Sequence, residues 1–183
     1  MREFCMYFNK SQEHLDARLT DVGIEQCKAL RETIHGIREE AQLVVVSPLS
    51  RALQTALLTF DQVEGIPWIA LECVRERAGG HFCDRRRVLS ELKQEFPTIT
   101  WDEIKEEEDT YWDGFGEGRE TDETLKRRAY ELFRWLKDRP ETNIAVVTHS
   151  AFLSCMFNKA VTCSSDLSKW FNNCELRTVL LDF

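Results

Sequence analysis

Two short apolar runs constrain this chain more than any other feature of it. Gln42-Leu43-Val44-Val45-Val46-Ser47 and Asn143-Ile144-Ala145-Val146-Val147-Thr148 are β-branched and lack polar alternation. A run that is apolar on both sides of the pleat suits a strand covered on both faces, as in a parallel sheet flanked by helices. Each run passes at once into a helical pattern. Leu49, Ala52, Leu53, Ala56, Leu57 and Phe60 follow the first, with Pro48 near the helix start. Ala151, Phe152, Cys155 and Met156 follow the second. Thr20 is an N-cap for a helix that buries Gly23, Cys27, Leu30 and Ile34 and ends near Gly36, with His35 as a cation at its end. Leu125, Ala129, Leu132, Phe133 and Leu136 mark another helix, stopped by Pro140, and a shorter one follows Asp84 and ends before Pro97. Pro67 to Leu71 and Leu176 to Phe183 read as strands. Strands alternating with helices predict an α/β three-layer sandwich on a mostly parallel sheet. Ligands of such sheets bind beyond the carboxyl ends of the strands. Arg51 and His149 both lie just past such ends, which puts a guanidinium and an imidazole on one rim.

Composition narrows the class of partner. At 183 residues the chain has the length of one domain, 1–183, with core enough to fold without staples. The formal net charge of −8 argues against a nucleic-acid partner. No apolar run approaches the ~20 residues of a membrane span, and the first residues do not read as a secretion signal. The cysteines number seven, an odd count, with no C-x-x-C pair. They read as free thiols in a reducing cytoplasm, and no Cys/His spacing suits zinc. Glu106 to Glu120, acidic and carrying Gly114, Gly116 and Gly118, reads as a long loop or flap.

Four segments, in order, carry a family resemblance. Ser47-Pro48-Leu49-Ser50-Arg51-Ala52-Leu53-Gln54-Thr55-Ala56 resembles the second signature of the histidine phosphatase superfamily, whose fold is phosphoglycerate mutase-like. Asp16-x-x-Leu19-Thr20-x-x-Gly23-x-x-Gln26 is similar to the start of its first helix. Val74-Arg75-Glu76, followed by Cys83-Asp84-Arg85-Arg86, looks like the loop carrying its acid, and Val147-Thr148-His149-Ser150 like its late histidine. Asn173-Cys174-Glu175-Leu176 is similar to the closing strand of eukaryotic members. The likeness runs from about residue 14 to the end.

The resemblance implies a phosphatase acting on a phosphate monoester through a phosphohistidine. It implies Arg51 and His149 as ligands of the phosphoryl oxygens, and Glu76 and His149 as catalytic groups. Glu76 would protonate the leaving alcohol, then serve as base for water, and this needs a raised pKa. It implies no metal and no cofactor, and a small phosphorylated substrate or anion as partner. Thr148, Ser150 and Ser47 could help position phosphate, although helix capping is the plainer role. If the imidazolium form of His149 contributes, anion affinity falls as pH rises through its titration. Arg85, Arg86 and Arg87 read as a solvated helix face pairing with Glu91 and Glu95, and His81 as a loop histidine near the acid.

One departure stands against the match. The family's first signature is Arg-His-Gly at the end of its first strand, and its histidine is the nucleophile. No Arg-His pair occurs in this chain. His14 precedes the first helix and is not placed as a substitute. Either Glu3 to Phe8 is a degenerate first strand, with Asn9-Lys10-Ser11 at the catalytic turn, or the first residues belong just after a turn that this sequence lacks. The first placement implies a pseudophosphatase that binds a phosphorylated ligand or protein without turnover.

Overall fold

In the computed structural model, which describes residues 12–60, 65–116 and 118–183, the two valine-rich runs lie side by side. In chain order the elements are helices α1 (Asp21–Thr33) and α2 (His35–Glu40), strand β1 (Leu43–Val46), α3 (Ser50–Phe60) and β2 (Trp68–Ala70). Then come α4 (Leu89–Glu95), α5 (Thr110–Asp113), α6 (Asp122–Lys137), β3 (Ile144–Val147) and α7 (Ser150–Cys155), which widens into a π-turn over Met156–Ala160. The strand order is β2-β1-β3, all parallel, with Val45 level with both Ile69 and Val146.

The pleat divides β1 between two cores. Val44 and Val46 face one side, where Ala52, Leu53, Ala56 and Phe60 of α3 and Leu89 and Leu92 of α4 pack. Leu43 and Val45 face the other, against Leu125, Ala129 and Leu132 of α6 and Phe152 and Cys155 of α7. All four β1 side chains are wholly buried. Helices, sheet and helices are therefore three layers, as the unalternating runs predict. Thr20 caps α1, its hydroxyl accepting from the Gly23 N–H at 3.2 Å, and Thr121 caps α6, accepting from Thr124 N–H at 3.2 Å. No helix among the described residues is long and apolar enough to cross a membrane.

Several boundaries differ from the expectation. The first helix ends at Thr33, not at Gly36, because Ile34 leaves helical geometry (φ −112°) and turns into the core. Gly36 and His35 instead start α2, so His35 sits at a helix beginning, near Glu32. Leu176 to Phe183 is not a strand. A strand needs a neighbour to pair with, and no strand of the described residues lies along this segment. It is held by side chains: Leu176 packs on the core, and the Arg177 guanidinium stacks on Phe171 and donates to the Leu167 and Lys169 carbonyls. Glu3 to Phe8 and Asn9-Lys10-Ser11 lie outside the described residues.

Candidate functional site

The three parallel strands end on one rim, and each delivers one of the expected residues. Arg51 stands in the first turn of α3, five residues past the end of β1. His149 is the N-cap residue of α7, directly past Thr148 and β3. Glu76 follows the short 3₁₀ turn Glu72–Val74 that leaves β2. The Arg51 charge acts on both of the others, pulling the Glu76 carboxyl toward ionisation and opposing protonation of His149. The fold thus brings Arg51, Glu76 and His149 together from separate strand–helix junctions.

The Arg51 guanidinium is anchored but still partly open. Nη1 donates to the Cys83 carbonyl at 2.6 Å and Nη2 to Asp84 Oδ1 at 2.8 Å, with 23% of the side chain exposed. The other Asp84 oxygen accepts from Arg119 Nη1 at 2.9 Å, so one buried carboxylate bridges two guanidinium groups. His149 is buried, and its Nε2 lies 2.8 Å from Ser47 Oγ. Burial first, then the charges of Arg51, Arg75 and Arg128, hold its pKa well below the usual 6.5. At neutral pH it is an uncharged imidazole that can act as an N–H donor. Burial and these three charges thus work against the imidazolium form, whose contribution to anion binding the sequence left open. Burial pushes the Glu76 carboxyl up, and the nearby Asp84 adds to this. The Arg77 N–H bond at 2.8 Å and Arg51 act against it without reversing it.

The rim rests on buried ion pairs that the sequence did not reveal. Arg75 is fully buried and donates to Asp109 Oδ1 at 2.7 Å, Glu72 Oε2 at 3.1 Å and the Asp84 carbonyl at 2.8 Å. Arg128 donates to Glu120 Oε1 at 2.9 Å and to the Arg75 carbonyl at 2.8 Å. Arg86 is not on a solvated helix face. It is buried, bonded to Glu72 and to the carbonyls of Glu106, Glu107 and Glu108. Only Arg87 of the basic run pairs with Glu91 and Glu95 as expected. These contacts also fasten the acidic segment Glu106 to Glu120, which holds α5 and is tethered at both ends. Nothing in the spacing of Asp109 or Glu120 separates them from their solvated acidic neighbours, so only folding distinguishes them. The family-like motifs did contain Arg75, Asp84 and Arg86, but not Asp109, Arg119 and Glu72, which pair with them.

His81, Cys83 and Asp84 are the described residues whose ligand atoms come within 4.8 Å of one another as a metal site would require. Both Asp84 oxygens already serve guanidinium groups, and burial with the Asp84 charge pushes the Cys83 thiol up to about 11. That donor set suits a dication poorly. His14 ends the 3₁₀ turn Gln12–His14, ahead of α1.

Comparison with known proteins agrees with the geometry. Phosphoglycerate mutase-like protein 1 of Arabidopsis thaliana is 34% identical over 205 aligned positions, covering 93% of this chain and 72% of that protein. A second Arabidopsis thaliana phosphoglycerate mutase-like protein is 31% identical, over 93% of this chain and 75% of its own length. Among solved structures, an Escherichia coli K-12 protein provisionally assigned as an alpha-ribazole-5'-P phosphatase shares the fold. Its TM-score is 0.51 at 24% identity, over 77% of this chain and 66% of that one. The profile of the histidine phosphatase superfamily (branch 1) matches residues 7–182, through all three strand ends that form the rim, and the chain belongs to that superfamily.

Proposed function

We propose that the rim of Arg51, Glu76 and His149 is the phosphate-monoester pocket of a phosphoglycerate mutase-like phosphatase, and that this chain binds the phosphoryl group without turning the ester over. The convergence of the three side chains, with Arg51 acting electrostatically on both of the others, carries the reading. Arg51 supplies charge and two donors to phosphoryl oxygens, assisted by the start of α3. Neutral His149, steadied by Ser47, adds an N–H donor without a charge to desolvate. Glu76, held protonated to higher pH than an ordinary carboxyl, is suited to give its proton to a leaving alkoxide.

Hydrolysis needs a nucleophile as well, and this sequence contains no Arg-His pair to supply one. Loss of one member of a catalytic unit removes about 10⁶ of the rate in one well-studied triad. Titration with sulfate or vanadate, followed by chemical shifts or melting temperature, tests the pocket. Binding should weaken with salt and drop about tenfold or more in Arg51→Ala, while exposed Lys169→Ala is unchanged. Equal binding by wild type and Arg51→Ala rejects the pocket. Robust p-nitrophenyl phosphate turnover by the purified chain rejects the binding-only reading and leaves the pocket standing.

A further inference from the structure

We propose that Cys27 and Cys174 are a disulfide-forming pair, through which oxidation staples the closing segment of the chain to helix α1. The two sulfurs lie 3.5 Å apart although the residues are 147 positions apart in the sequence. Cys27 is wholly buried on α1, while Cys174 is half-buried in the closing segment. Cys174 has a left-handed backbone (φ 53°), a conformation that an ordinary residue adopts only when its surroundings hold it. The surroundings here are a local turn. The Asn172 N–H donates to Glu175 Oε2 at 2.8 Å, and the Glu175 N–H donates to the Asn172 carbonyl. The turn presents the Cys174 sulfur to Cys27. A disulfide needs about 2.05 Å between sulfurs, so the pair has to close by a further ~1.5 Å from the observed contact. Three of the other four described thiols lie against oxygens instead: Cys83 on Asp84, Cys155 on the Asp122 carbonyl and Cys163 on the Phe157 carbonyl.

The chemistry balances with a small disulfide such as oxidised glutathione. The Cys174 thiolate attacks one sulfur of that disulfide, breaking its S–S bond and releasing one glutathione thiolate. The Cys27 thiolate then attacks Cys174 Sγ in the mixed disulfide and releases the second. The protein loses two electrons and two protons, and the oxidant becomes two thiols. Burial and the neighbouring Cys27 push the Cys174 thiol up to about 12, so the step is slow at neutral pH and faster in alkali. This suits a stabilising cross-link better than a rapid sensor. The closing segment has no sheet ladder of its own, and a bond across so long a loop restricts the unfolded chain most.

The test is incubation of the purified chain with oxidised glutathione at mildly alkaline pH, then alkylation and peptide mapping. A reductant-sensitive peptide joining Cys27 to Cys174 is expected, with a melting temperature about 5 °C or more above that of the reduced protein. Cys27→Ser should stop at a glutathione adduct on Cys174, Cys174→Ser should give no cross-link, and Cys163→Ser should leave the cross-link intact. Recovery of both cysteines as alkylated thiols overturns the proposal. So does a linkage of either to another cysteine, or a cross-linked chain that melts no higher than the reduced one.

Discussion

His149 and Glu76 depart from ordinary acidity in opposite directions for the same first reason, because burial disfavours whichever form is charged. The consequences for stability are opposite too. Below about pH 6.5 the unfolded chain takes up a proton at His149 that the native chain resists, so this contribution to stability is lost as pH falls. Glu76 holds its proton more tightly when folded, so its contribution is lost as pH rises through its folded pKa. His149→Gln should therefore flatten the decline in melting temperature between about pH 6.5 and pH 5. An unchanged slope would mean that other groups set the acid limb. Arg75 gives a second prediction at this scale. Arg75→Met leaves Asp109 buried without its counter-charge, held only by the Arg86 and Trp112 N–H groups, and should cost about 3–5 kcal/mol in urea unfolding. Arg75→Met with Asp109→Asn, which removes the stranded charge and keeps a polar partner for those N–H groups, should recover part of that loss, and no recovery would show that Arg75 acts mainly through Glu72 and the carbonyl it also holds.

Among the elements, the loop between Glu76 and Asp84 depends on one glycine. Gly79 has φ 80°, and a Cβ there would lie 2.3 Å from the Gly118 carbonyl oxygen and 2.5 Å from Phe115. The close approach lets Arg119 reach both the Gly79 carbonyl, at 2.7 Å, and Asp84. Gly79→Ala combines a disfavoured backbone with a backbone clash, and should destabilise by about 2 kcal/mol or more. It should also weaken anion binding, since Asp84 orients Arg51 as well as Arg119. Gly36→Ala is the control, because nothing lies within 4 Å of a Cβ there. If the two variants unfold at the same urea concentration, the Gly79 contact is not structural. Helices were legible wherever period and caps agreed, as in α3 and α6. The first helix stops short of Gly36 because Ile34 breaks it by turning into the core, a choice made by packing rather than by the glycine that follows.

For the whole molecule, the sheet is unequal across its width. β1 is paired on both edges and covered on both faces, whereas every residue of β3 is only half-buried. The Asn143 and Val147 carbonyls point toward β1, so by alternation Ile144 and Val146 direct their N–H groups to the other edge, where no strand of the described residues lies. Hydrogen exchange should therefore be slowest at Val44 to Val46 and clearly faster at Ile144 and Val146. Equal protection of both strands would show that another segment covers that edge.

Apolar periodicity and capping residues are local properties, and they were enough to place β1, β3, α3 and α6, and to put Arg51 and His149 on one rim. The ionisation of the rim was decided only by tertiary contacts. Whether His149 is charged depends on its burial and on Arg51, Arg75 and Arg128, which reach it from distant parts of the chain. Arg86 reads as a solvated helix residue until the backbone of residues 106–108 folds over it. The closing segment carries a strand-like pattern, yet pairing requires a neighbour in space, and a pattern within one segment cannot specify whether that neighbour exists.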